Sequence, residues 1–217
     1  MFTCQSRTGP IDLQASTNHC HFRNLCLEAS SNEWQLYLGK ELRPLYYDSK
    51  AEAHFEWPAA FLNIGHGAIL PYVPWAPVVK WDTMPPGHVW AETDVAVHVS
   101  FNTFASHFGH ALFDNILPLA NLLELFHLWS SDFQTILGPT QVPQEGPSYD
   151  YTSTNALLNN SDPSIRLLQL ISRRPAYSLE QLLEQHPRAS GVCFRHVLAG
   201  THGLQGAGQP MLMGHFR

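Results

Sequence analysis

Apolar and polar positions alternate from Val95 onward: Val95, Val97, Val99 and Phe101 are separated by Ala96, His98 and Ser100, with Asn102 following. A period of two is that of a strand with one buried face. Past Ser106 the interval changes. Phe108, Leu112, Ile116, Leu119, Leu122, Leu123 and Phe126 recur every three or four residues, which predicts an amphipathic helix from about Ser106 to Trp129. The Ser106 hydroxyl is placed to accept from an otherwise unpaired N–H of the first turn. Pro118 removes one helical hydrogen bond and clashes with the carbonyl four residues back, so a kink or break is expected there. Phe133 to Leu137 reads as a second buried strand, which completes a βαβ unit with Val95 to Phe101.

Elsewhere the pattern is weaker. Phe22 to Leu38 suggests two strands joined at the turn-forming Ser30-Ser31-Asn32. Ile165 to Ile171 reads as a strand, Ser178 to Glu184 as a capped helix with Leu179, Leu182 and Leu183 inward, and Val192 to Leu198 as a strand. Alternating elements of this kind argue for an α/β lobe with a largely parallel sheet. Residues 1–18 are polar and without period, and are expected to be disordered or loosely docked. Residues 19–217 form the lobe itself, with a loop-rich part over 40–90 and an α/β part over 91–200. Prolines 44, 58, 71, 74, 77, 85 and 86 confine the former to loops and short strands. Its many aromatics are expected to pack, with stacking on sugar faces as the alternative. Residues 138–163, rich in Pro, Gly, Ser, Thr and Asn, read as a surface loop.

Charged residues make up 14% of the 217, against about 25% in typical soluble domains, which suggests a surface meant to be covered. The net charge of −6 and only 12 Lys and Arg argue against a nucleic-acid partner. No apolar run is long enough to span a bilayer, and the N-terminal MFTCQSRTGP lacks the apolar core of a signal sequence. Thirteen histidines invite a metal reading, yet none of the familiar zinc spacings occurs. The nearest local group is His19, Cys20, His21 and Cys26, and no metal site is assigned. Cys4, Cys20, Cys26 and Cys193 permit disulfides; a bridge between the neighbouring Cys20 and Cys26 would staple a small loop. Asn159-Asn160-Ser161 is an N-glycosylation acceptor triplet.

One stretch combines local structure with reactive chemistry. Residues four apart on a helix are neighbours, so His110 and Asp114 can touch, and Asp114 can fix the imidazole tautomer or favour its charged form. Either group then serves as a general base, with the other orienting it. His107 and Asn115 lie close enough to line the same cleft. A solvated or structural His–Asp pair is the competing reading of this spacing.

The run HFGHALFDNILPL (residues 107–119) resembles the signature of glycosyltransferase family 61, which includes plant xylosyl- and arabinosyltransferases and animal enzymes adding O-linked N-acetylglucosamine. The family pattern is close to Asn-Phe-x-His-x-x-x-Asp-x-Leu-x-Pro, and His110, Asp114 and Pro118 stand at matching places. His107 stands where the family often has Asn. CHFRNLCLEASSNEWQLYLG (Cys20 to Gly39) resembles the family's opening element, and GVCFRHVLAGTHGL (Gly191 to Leu204) its Cys-Phe strand. The three segments follow in the family's order.

The resemblance implies a Rossmann-like N-terminal lobe of a GT-B enzyme. The family's second lobe, which holds most of the nucleotide-sugar site, has no counterpart in these residues, so a partial enzyme inactive alone is expected, shortened at the front as well as the back. Inverting transfer of a sugar from a nucleotide-sugar donor to a hydroxyl of a glycan or glycoprotein is the implied reaction. His110 and Asp114 would be catalytic, and His107 and Asn115 would face the acceptor. No cofactor is held by this lobe, and no Asp-x-Asp element speaks to a metal requirement. The implied partners are the acceptor and the absent lobe. The implied location is the Golgi, whose oxidising lumen suits disulfides. The alternative reading is a non-catalytic lobe that binds a glycan or regulates a longer paralogue.

Overall fold

The computed structural model describes residues 2–6, 18–39, 62–64, 74–101, 108–130, 132–138 and 162–200. The strands are β1 (Phe2–Ser6), β2 (Asn18–Glu28), β3 (Trp34–Tyr37), β4 (Leu62–Asn63), β5 (Pro74–Trp75), β6 (Val78–Lys80), β7 (His88–Trp90), β8 (Val95–Val99), β9 (Phe133–Leu137), β10 (Tyr177–Ser178) and β11 (Gly191–Ala199). Helix α1 covers residues 108–125, α2 is Pro163–Ile171 and α3 is Leu179–Glu184.

Except for the small β4–β5 pair, the strands form one mixed sheet in the order β10-β9-β8-β11-β2-β3-β6, with β1 on β2 and β7 on β11. Strands β10, β9, β8 and β11 run parallel, and β2 closes them antiparallel to β11. The chain runs β8, α1, β9, α2, β10, α3, β11. It therefore builds outward on one side of β8 and then returns to β8's other edge. Leucines and isoleucines of α1 and α2 pack on one face of the sheet with Val95, Val97, Val99, Phe133 and Leu137. On the other face Leu182 of α3 joins Phe22, Leu25, Leu36, Ala96, Ile136 and Phe194. The sheet is thus covered on both sides, as parallel strands require.

Several sequence expectations hold. β8, α1 and β9 form the βαβ unit, β2 and β3 flank a turn at residues 29–31, and β11 covers the third resembling segment. Ser178 caps α3 through a full capping box with Gln181: its hydroxyl accepts from Gln181 N–H, and the Gln181 side chain accepts from Ser178 N–H.

Other expectations are corrected. Residues 163–171 are a helix rather than a strand. Asp162 accepts from Ser164 N–H at 2.7 Å and Pro163 opens the first turn, a start signal stronger than the short apolar run that follows. The N-terminal segment is not wholly loose, since β1 is paired along β2. β8 is buried on both faces, with Ala96 and His98 fully enclosed and Ser100 nearly so. The 139–161 part of the expected surface loop lies outside the described residues, as does Asn159.

The bridge expected between Cys20 and Cys26 is not formed. Both belong to β2, where they stand six positions apart, about 20 Å along the strand. Each bonds instead to the residue directly opposite on a neighbouring antiparallel strand: Cys4 to Cys20 across β1–β2, and Cys26 to Cys193 across β2–β11, with Cα–Cα distances of 4.1 and 4.0 Å. All four cysteines are consumed, which also removes Cys20 and Cys26 as metal ligands.

Candidate functional site

The motif helix follows the carboxyl end of β8. Val99 O accepts from Gly138 N–H at 2.7 Å, and Ser100 N–H donates to Ile64 O at 2.7 Å, tying the strand's exit to its neighbours. At this edge the strand order reverses, since β9 lies on one side of β8 and β11, formed last, on the other. In open α/β sheets the crevice outside such a reversal is where ligands bind, because the loops there diverge to opposite faces.

Helix α1 begins as one α turn (Phe108–His110), widens to a π segment (Ala111–Ile116) and continues as α-helix over Leu117–Leu125. The expected disturbance at Pro118 is present as this widening, which relieves the clash between the proline ring and the carbonyl of Asp114. The extra residue in the π turn also changes which positions face the core. Continuing backward from Leu119 and Ile116, an unbroken α-helix would bury Leu112 and Phe108. Instead Ala111 and Asn115 are fully buried, while Phe108 is 62% exposed.

His110 ends the first α turn and Asp114 lies in the π segment, each one residue before a buried position. Their side chains lie outside the described part of the structure, as does His107 altogether. Asn115 is fully enclosed, and its Nδ2 donates to Ser164 Oγ at 2.7 Å, tethering α1 to α2.

His98 carries no site signal in the sequence. It occupies the polar position of an alternating strand, yet helices cover one face of that strand and the β4–β5 side the other. Burial holds its pKa down to about 3, against the opposing hydrogen bond from Nδ1–H to Ile136 O at 3.3 Å. The ring packs against Trp75 and Trp34. A Cβ on Gly138 would approach Ile64 Cδ1 to 2.8 Å and His98 Cε1 to 3.2 Å, so both side chains close tightly over that strand end. His98 is therefore a neutral core imidazole rather than an acid or base at neutral pH.

Two further clusters were equally invisible in the sequence because they join distant strands. His21 Nε2 and His196 Nδ1 are 2.8 Å apart across β2–β11, and burial, then the neighbouring His196 and Arg23, hold His21 down to about 4. At the opposite end of the sheet Glu28, Tyr37 and His88 form a hydrogen-bonded trio. Among the described residues no group of three His, Cys, Asp or Glu side chains is arranged to hold a metal, and no helix is long and apolar enough to cross a membrane. The chain matches no protein-family model, and no curated protein is similar enough to count as a match.

Proposed function

We propose that the chain is the Rossmann-like N-terminal lobe of a GT-B inverting glycosyltransferase of the family 61 type, contributing the acceptor side of the reaction. The observation that supports this most is the placement of the motif. The helix bearing His110 and Asp114 leaves the carboxyl end of the strand where sheet order reverses, and Asp114 falls within its π segment, a distortion frequent at functional sites. The exposed Phe108 and Phe113 on the first half of that helix are consistent with a face that a second lobe covers. Two disulfides suit the lumen of the secretory pathway.

In this reading the acceptor hydroxyl gives its proton to the Asp114 carboxylate, directly or through His110. Its oxygen attacks the anomeric carbon from the face opposite the nucleotide. The bond from that carbon to the diphosphate breaks, and the diphosphate leaves with the bonding pair, so configuration inverts. Stabilising the departing charge falls to the other lobe, which also binds most of the nucleotide-sugar donor. The partners are a glycan or glycoprotein acceptor and that lobe, and the location is the Golgi.

The test is a transfer assay on the polypeptide encoded by the complete transcript, made in a secretory host and offered nucleotide sugars with glycan and O-glycopeptide acceptors. An inverted product is expected, and Asp114→Asn is expected to lower turnover by about a hundredfold or more at an unchanged thermal midpoint. Unaltered turnover with reduced stability would show Asp114 to be structural. Glycan binding without donor turnover by the unsubstituted protein would favour the non-catalytic lobe.

A further inference from the structure

The side chain of Met84 lies against the Cys26–Cys193 disulfide. Cys26 and Cys193 are 1% and 0% exposed, whereas Met84 is 37% exposed, with its Sδ 3.3 Å from Cys193 Sγ and 3.6 Å from Cys26 Sγ. Met84 belongs to residues 81–87, which connect β6 to β7 and are pinned at both ends. Lys80 O accepts from Leu38 N–H at 3.0 Å and Gly87 O from Ser190 N–H at 2.8 Å. One residue beyond Met84, Pro85 O accepts from His88 Nδ1–H at 3.0 Å.

His88 is itself fixed. Its side chain is 1% exposed, Nε2 pairs with Glu28 Oε1, and that oxygen also accepts from the Tyr37 hydroxyl at 2.5 Å. Burial, together with the Glu28 bond, pushes the Tyr37 phenol well up, so it remains a donor. The His88 ring lies over Gly191, where a Cβ would come within 2.7 Å of it. The trio and the glycine therefore hold the connection, and with it Met84, over the two sulfurs.

We propose that Met84 is the cover of a redox clamp: thiol exchange at Cys26–Cys193 in the folded protein is gated by displacement of this one side chain. An external thiolate attacks Cys193 Sγ, the sulfur nearer Met84, and Cys26 leaves as thiolate. A second external thiol attacks the mixed disulfide, releasing the Cys193 thiolate and an external disulfide. Two electrons pass from the two external thiols to the protein. The clamp joins β2 to the start of β11, and β11 is the strand that flanks the order reversal at its other end. Opening it would loosen one wall of the candidate crevice.

The test follows reduction of each disulfide in the folded full chain by glutathione, with acid quench, N-ethylmaleimide labelling and peptide mass spectrometry. Cys4–Cys20, whose Cys4 is partly exposed, should be reduced first in the unsubstituted protein. Met84→Ala should speed reduction of Cys26–Cys193 by about tenfold or more, with the Cys4–Cys20 rate and the urea midpoint unchanged. Met84→Leu, which keeps the bulk, should stay slow. An unchanged rate in Met84→Ala overturns the proposal, as does Met84→Leu reacting as fast as Met84→Ala. So does acceleration of both disulfides together with a lower urea midpoint, which would mean general unfolding.

Discussion

Removing the two disulfides separately should cost very different amounts of stability, and the difference can be worked from sequence separation alone. Cys4 and Cys20 are 16 residues apart, and Cys26 and Cys193 are 167 apart. In the loop-closure account a cross-link restricts the unfolded chain by an amount that grows with the logarithm of loop length, giving about 3 kcal/mol for the shorter loop and about 5 for the longer. Constants shared by both cancel in the difference, which is 1.5RT times the logarithm of the length ratio, or about 2 kcal/mol. Cys26 and Cys193 are both buried, so truncating them also leaves voids, and this acts in the same direction. The assay is urea denaturation of Cys4→Ala/Cys20→Ala and Cys26→Ala/Cys193→Ala without reductant. Equal losses, or a larger loss from the Cys4–Cys20 pair, would refute the reasoning and point to residual structure in the unfolded chain.

Acid should destabilise the protein through His98. Its folded pKa of about 3 lies below the ordinary 6.5, so the unfolded chain takes up a proton that the folded one refuses. Stability is complete above pH 6.5 and falls as pH drops from there toward 3, by about 1.4 kcal/mol per pH unit for this one group. Urea titrations of His98→Phe should show an acid slope shallower by one proton, and an unchanged slope would contradict the assignment. Ser178→Ala removes the acceptor of the α3 capping box and should cost about 1 kcal/mol, read as a lower urea midpoint; no change would mean that α3 contributes little to the cooperative unit.

Local rules explain which elements were legible. β8, β9, β11 and α3 each carry their own periodicity or cap, so the βαβ unit and the capping box at Ser178 were readable from neighbours in the chain. Ile165 to Ile171 is too short for its period to decide between strand and helix, although Asp162-Pro163-Ser164 carries the start signal of α2. On α1 Ile116, Leu119, Leu122 and Leu123 face the core as their period predicts, yet at the helix start Ala111 and Asn115 are buried and Phe108 is exposed. Pro118 announced a disturbance but not its form, a π turn in which Asn115 is buried against Ser164.

The sequence alone determined the mixed α/β character, the strand-to-helix unit carrying His110 and Asp114, and the presence of cysteines able to pair. Those properties depend on intervals of two to four residues along one chain. Only the tertiary structure decided that Cys26 bonds Cys193 rather than Cys20, that His98 is neutral core, and that Glu28, Tyr37 and His88 meet. Each depends on the register between strands far apart in sequence and on what covers the sheet's second face. Pairing register is set by the packing of the whole sheet, and no local pattern carries that information.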